Sequence, residues 1–466
     1  MPGKAKVAFE VLRAEGLRAG IDRLWDFLAE EARRRSFDES RRDLRVEPLS
    51  APPPALRVDP SVLVYLSTPP KVSLGGLQAS LRSWMNDARR HRDVALLFRD
   101  GKGRYRLEIE SGGEGRCYEL STPRTERDVA LRDRGFEVVV EWALAATGAE
   151  LLHVVGLHGV PLGSLEAVRA GGSRLLISLH DFSPFCFRPH LLEHPGLTFC
   201  GYCRIPERCG DCLAEGHEAT WNDLKLHREA AGALLARADG VTFPSEFLRR
   251  EMLDLFPEIG GVRSWIVPPT SKVPHPVPQR TGAPGQLRRV AFVGSAKVHK
   301  GILVFEQLLR AVEGTELEGI RWSVLGGGDS SVLGRLRKIS RVRVRGYFRA
   351  GSLPRLLVRR RVDLALLLSI VPESYGLTFG ECAAAGVPVL AFDHGGLGER
   401  ISREGGGLTV TLGRGAEGLV ETLRELRRGS IAVPPARSDV AADGFRQETA
   451  WQEVYSVLLP GRVPKV

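Results

Sequence analysis

The stretch from Val362 to Phe392 constrains the fold more than any other part of this chain. It opens with an apolar run, Val362 to Ile370, far shorter than the ~20 residues a membrane helix needs and typical of a buried parallel strand. A polar turn follows, Val371-Pro372-Glu373-Ser374-Tyr375-Gly376, and Thr378 to Ala385 then reads as a helix stopped by Gly386. Val387 to Phe392 is the next strand. Strand, polar turn and helix N-terminus form the unit with which open α/β sheets hold phosphate groups. Glu373 on the turn and Glu381 on the helix flank that unit, so both can face a ligand held at the helix start.

The filling of this stretch, with Ala385-Gly386-Val387-Pro388-Val389 after the helix and Gly395-Gly396-Leu397-Gly398-Glu399 beyond, resembles the E-x7-E region of retaining glycosyltransferases of family 4. The resemblance implies an α/β protein of the GT-B fold, two Rossmann-like doubly wound domains facing a central cleft. It also implies a hexosyltransferase-like enzyme that moves a sugar from a nucleotide-sugar to a glycan or lipid-linked acceptor.

Other segments are similar to the same family. Val290 to Gly294, Ser295, Lys297 and Lys300-Gly301 look like its strand, G-R-x4-K-G loop and helix, with Ser295 standing where an Arg is usual. Ser73-Leu74-Gly75-Gly76 is similar to its first glycine loop, and Ala238 to Ser245 to the strand and turn that close its first domain. His180, in Leu179-His180-Asp181, matches the family's histidine near the donor sugar. The resemblance implies donor contacts at Gly75, Gly76, Gly294, Ser295, Lys297, Lys300, Gly376, Leu377 and Glu381. Lys300, Glu373 and His180 are its catalytic candidates: Lys300 on the pyrophosphate, Glu373 on sugar hydroxyls, His180 on the sugar and Glu381 on the ribose. His153 and His158, near the end of the strand Leu151 to Val155, can equally be structural.

The cysteines need separate treatment. Cys200, Cys203, Cys209 and Cys212 form C-x2-C-x5-C-x2-C, with Cys186 as a fifth thiol. Four thiolates in two close pairs match a tetrahedral structural zinc knuckle. Unligated thiols, an iron–sulfur cluster and disulfides are the other readings. No Asp-x-Asp motif is present, so no catalytic divalent metal or other cofactor is expected.

The domain expectation is a helix and linker over 1–59, an N-terminal domain over 60–266 with the knuckle at 186–212, a donor domain over 285–440, and a returning helix over 441–466. Residues 4–35 carry apolar residues at helical spacing from Val7 to Leu28, then Arg33-Arg34-Arg35. Their mixed-charge polar face leaves peripheral contact with an anionic membrane and docking on the protein itself both open.

Hydrophobic content of 43% and charged content of 26% are those of a globular chain. No signal peptide is read at the N-terminus, and the expected location is cytoplasmic or at the inner membrane surface. The net charge of +10 and pI near 9.4 favour an anionic partner such as a nucleotide donor. A nucleic-acid-binding protein is the rival from another class, and the cysteine segment has few basic or aromatic residues to support it. Within the fold, a nucleotide-sugar epimerase or a phosphorylase is the alternative.

Overall fold

The computed structural model describes residues 45–48, 62–69, 94–436 with short breaks and a longer one at 270–286, and 443–460. The expectations for residues 4–35, Gly75 and Gly76, and most of the proline-rich stretch after Val267 lie outside the described residues. The chain divides into two compact units. One is Phe37–Thr270 joined by Asp443–Val466, and the other contains Ser271–Ala442.

The unit at Ser271–Ala442 holds six strands: β10 (Arg289–Val293), β11 (Arg321–Leu325), β12 (Val342–Arg345), β13 (Leu364–Leu367), β14 (Val389–Phe392) and β15 (Gly407–Val410). All pairings are parallel, in the order β12-β11-β10-β13-β14-β15. This is the 3-2-1-4-5-6 order of a doubly wound sheet, with its reversal between β10 and β13. Strand residues alternate between two cores because successive side chains point to opposite faces. Val290 and Phe292 pack under α6 (Ile302–Ala311), α7 (Ser330–Arg337) and α11 (Gly415–Arg428). Ala291 and Val293 pack under α8 (Leu353–Arg359), α9 (Leu377–Ala384) and α10 (Gly395–Glu404). Burial on both faces explains why these strands read as unbroken apolar runs.

The other unit contains a nine-stranded sheet. Its parallel part runs β3 (Val94–Arg99), β2 (Val62–Leu66), β6 (Leu151–Val155), β7 (Arg174–Ser178), β8 (Gly240–Phe243) and β9 (Ser264–Ile266). Beyond β3 the sheet turns antiparallel through β4 (Arg104–Ser111) and β5 (Glu114–Ser121). β1 (Arg45–Pro48) pairs parallel with β5. That strand corrects the reading of residues 36–60 as linker alone: the β4–β5 hairpin leaves an open edge, and β1 covers it.

One face of this sheet is covered by α1 (Arg134–Thr147), α2 (Leu162–Arg169), α4 (Trp221–Ala236) and α5 (Glu246–Leu255). The opposite face receives α12 (Asp443–Leu458), whose Trp451, Val454, Tyr455 and Leu458 pack on Val62, Val64 and Leu151. A buried polar chain fastens this contact. The Tyr455 hydroxyl bonds His153 Nδ1 at 2.8 Å, His153 Nε2 bonds the Ser178 hydroxyl at 2.7 Å, and Ser178 bonds Thr242 at 2.7 Å. His153 is therefore a structural residue, fully buried beneath α12.

Burial holds the His153 imidazole neutral, its pKa lowered from 6.5 to about 3. His180 and His227 are lowered to about 4 for the same reason. The unfolded chain binds these protons below pH 6.5 and the folded chain does not, so stability falls as pH drops from about 6.5 towards 4 and below. The thermal midpoint should decline across that window, and His153→Gln should make the decline shallower in a calorimetric pH series.

Candidate functional site

Two loops leave the carboxyl ends of β10 and β13, where the strand order reverses and ligands of open α/β sheets bind. After β10 the chain runs through Gly294, Ser295 and Lys297 into a short 3-10 turn, Val298–Lys300, and then Gly301 starts α6. After β13 it runs through Ser369 and Glu373 to Gly376, the N-cap of α9. Ser369 ties the loops together: its hydroxyl donates to the His299 carbonyl at 3.1 Å, and Ile370 N–H donates to the same carbonyl at 3.0 Å. His394, at the start of α10, bonds the Ser369 carbonyl through Nε2 at 2.9 Å.

These ties bring Lys300 and Glu373 together, 73 residues apart in sequence, with Nζ donating to Oε1 at 2.9 Å. Both side chains are only partly screened from water, so the pair can exchange partners with a charged ligand.

Close backbone approach holds the loops in place. Gly301 has φ +78°, and a Cβ there would lie 1.8 Å from the Leu368 carbonyl oxygen. A Cβ at Gly395 would lie 2.6 Å from Glu373 N, and one at Gly396 2.6 Å from Ser374 O. The Gly396 N–H in fact donates to the Glu373 carbonyl at 2.6 Å. Only glycine lets α10 start this close to the loop.

Gly376 lies at φ +80° and no side chain caps α9; the Phe379 N–H turns back to the Gly376 carbonyl at 3.1 Å, which leaves the Leu377 and Thr378 N–H groups at the helix start without a side-chain cap. Glu381 lies on α9, and no hydrogen bond or ion pair of its carboxylate is found among the described residues. Desolvation alone raises its pKa from 4.5 to about 7. Lys297 is exposed and Ser295 half-buried on the same loop as Lys300.

Several contributors were not singled out from sequence: Ser369, His394 and Arg400. Arg400 on α10 is 1% exposed, pairs with Glu404 and donates from Nη1 to the Gly376 carbonyl at 3.3 Å. Its guanidinium stacks 4.0 Å from the Tyr375 ring centroid. The only sequence signal was the i, i+4 spacing of Arg400 and Glu404.

His180 belongs to the other unit, in the loop after β7, where burial keeps its imidazole neutral. His158 is exposed after β6.

The cysteine segment follows His180. Cys209 and Cys212 lie on a helix, α3 (Pro206–Ala214). Pro206, compatible with a first helical turn, starts that helix. The sulfurs of Cys186, Cys203 and Cys212 accept backbone N–H groups from Arg188, Ile205 and His194 at 3.5, 3.4 and 3.3 Å. Arg228 donates to the carbonyls of Phe185 and Cys203 at 2.7 and 3.1 Å, and Arg188 donates to that of Cys212 at 2.8 Å. Burial pushes the Cys186 thiol up to about 11 and the Cys209 thiol up to about 12. Among the described residues, no group of three or more His, Cys, Asp or Glu is positioned to hold a metal ion. The donor set suits zinc, but this placement does not converge on one point.

Residues 288–428 match the family model described as "Glycosyl transferases group 1". Among solved structures, sucrose-phosphate synthase from Thermosynechococcus elongatus is 16% identical over 85% of this chain and 96% of its own, with a TM-score of 0.57. HepE from Anabaena, solved with UDP and glucose, is 17% identical over 86% of this chain and 100% of its own, with a TM-score of 0.54. The lipopolysaccharide outer core galactosyltransferase WaaB is 14% identical over 85% and 99%, also with a TM-score of 0.54. At these identities the likeness is one of fold. No curated protein matches the sequence. The fold is GT-B, and with the matched domain at β10 to α11 it defines the chain as an enzyme of the glycosyltransferase class. No helix among the described residues is long and apolar enough to cross a membrane.

Because Gly301 has no room for a side chain, Gly301→Ala should lower the thermal midpoint by displacing the loop that carries Lys300. Gly334, inside α7 with nothing near its Cβ position, should instead gain about 0.5–1 kcal/mol on substitution by alanine. Differential scanning calorimetry of the two variants separates these outcomes.

Proposed function

We propose that the protein transfers a sugar from a nucleotide-sugar to an acceptor hydroxyl with retention of configuration, and that the Ser271–Ala442 unit holds the donor. The observation that carries this reading is the Lys300–Glu373 ion pair beside the uncapped start of α9, at the point where the strand order reverses. An arriving diphosphate would take the Lys300 ammonium from Glu373 and accept the N–H groups that follow Gly376. Both interactions strengthen as negative charge builds on the leaving group. Glu373, released from Lys300, is then free to accept sugar hydroxyls. The sugar left behind has oxocarbenium character, and the acceptor oxygen attacks from the face that the diphosphate has left, its hydroxyl proton passing to the departing diphosphate oxygen as the new bond forms.

Within this scheme Glu381 accepts the ribose hydroxyls, and Gly294, Ser295 and Lys297 line the phosphate side. Gly75 and Gly76 carry their proposed donor role from the family resemblance alone. His180 is proposed as a sugar contact, its neutral imidazole able to donate one hydrogen bond and accept another. The acceptor is read as a glycan or lipid-linked hydroxyl, and the enzyme as cytoplasmic; peripheral membrane contact through residues 4–35 rests on their sequence only.

Glu381 provides a pH test. Ribose hydroxyls donate to the ionised carboxylate, so donor binding should tighten as pH rises through about 7, with proton release visible as a buffer-dependent binding enthalpy. Glu381→Gln should flatten that pH dependence, and Glu381→Ala should weaken donor binding by about 1.5–3 kcal/mol. A pH-independent donor affinity in the wild type would remove Glu381 from the ribose. Lys300→Met should lower kcat for donor hydrolysis or transfer by about 10²–10³, the usual loss for a charge-stabilising group.

The finer proposal for the insert is one structural zinc on Cys200, Cys203, Cys209 and Cys212. The donor set and the N–H groups directed at the sulfurs support it, and the sulfurs would have to draw together and lose their protons on binding. One equivalent of zinc by elemental analysis, with unfolding of the segment on its removal, is the expected result. Protein purified reduced and without chelator that contains no zinc would exclude the proposal.

A further inference from the structure

Arg400 is the most deeply buried cation among the described residues, and the chemistry proposed above makes no use of it. Burying a guanidinium is expensive, and an apolar residue of similar volume often serves stability as well or better. Here the charge is satisfied with unusual care. Nε and Nη2 take the two oxygens of Glu404 at 3.2 and 3.0 Å, and Nη1 reaches the Gly376 carbonyl at 3.3 Å. The guanidinium also lies 4.0 and 5.1 Å from the ring centroids of Tyr375 and Phe379, on either side of Gly376 in sequence.

The Gly376 carbonyl belongs to the same planar peptide as the Leu377 N–H, and in a trans peptide the two point in opposite directions. Holding the carbonyl back towards Arg400 therefore aims the Leu377 N–H outward from the start of α9. Gly376 sits at φ +80°, and its carbonyl accepts the Phe379 N–H at 3.1 Å from within α9. Arg400 adds a second donor to that carbonyl from outside the helix, and its stack on the Tyr375 ring holds the residue before the turn.

We propose that Arg400 is a positioning residue for the donor diphosphate, fixing the Gly376–Leu377 peptide so that its N–H is pre-aimed at the phosphate. The inference rests on the donor reading of this unit. It differs from a purely structural role because it predicts a selective loss of diphosphate recognition.

The test uses the full-length protein. Affinities for UDP and ADP are measured by calorimetry, and those for uridine and adenosine by competition, for wild type, Arg400→Met and Arg400→Lys. Arg400→Met should weaken binding of the preferred diphosphate by about tenfold, the size of one hydrogen bond to a charged group, with the nucleoside affected by less than about twofold. Arg400→Lys should recover part of the loss. An unchanged diphosphate-to-nucleoside ratio in folded Arg400→Met overturns the proposal. Should Arg400→Met fail to fold, Tyr375→Leu, which keeps the Glu404 pair and removes the stack, must shift the ratio in the same direction, and no shift there overturns it equally. A wild-type protein that binds neither diphosphate overturns the donor reading itself and this inference with it.

Discussion

Backbone must pass within contact distance of backbone where β10 and β13 end, and the loop arrangement of the Ser271–Ala442 unit follows from that requirement. Gly301 lies against the Leu368 carbonyl, Gly395 and Gly396 against the Glu373–Ser374 peptides, and Gly326 against the Gly294 carbonyl. Each approach needs a residue without Cβ, and each fixes one loop relative to another. The Ser369 hydroxyl and the His299 carbonyl then lock the two loops together, and the Lys300–Glu373 pair forms on top of that lock.

The two units treat buried polar groups differently. In the Ser271–Ala442 unit, polarity concentrates at the carboxyl edge, where Glu381 keeps a raised pKa and Lys300 stays accessible. In the other unit a polar chain runs through the core, from Tyr455 through His153 and Ser178 to Thr242. That chain anchors a helix contributed by the last part of the sequence to a sheet built from the first part. A hydrophobic contact alone would leave the register of α12 free to slide, whereas the hydrogen bonds to Tyr455 specify one position along it.

The part of the candidate site that depends on local pattern is legible in the sequence. An apolar run of fixed length, a glycine-bearing turn and a helix start can be read from consecutive residues, and these patterns point to Glu373, Gly376 and Glu381, whereas Lys300 comes from the family resemblance. The returning helix expected over 441–466 is observed at Asp443–Leu458. What escaped notice depended on distant partners. β1 forms because β5 leaves an edge to cover.

Sequence by itself determined that the chain alternates buried strands with helices, that phosphate-type turns follow two of those strands, and which charged residues stand on those turns. These are properties of neighbours along the chain, set by side-chain periodicity and by the backbone freedom of glycine. Tertiary structure alone decided that Lys300 meets Glu373, that His153 is a core residue rather than a ligand contact, and that Arg400 is buried behind Gly376. Those outcomes turn on strand order and desolvation, which bring together groups 73 residues apart at Lys300 and Glu373 and 302 apart at His153 and Tyr455. No local pattern encodes such distances, because the energy of a buried charge or hydrogen bond depends on what the rest of the fold places around it.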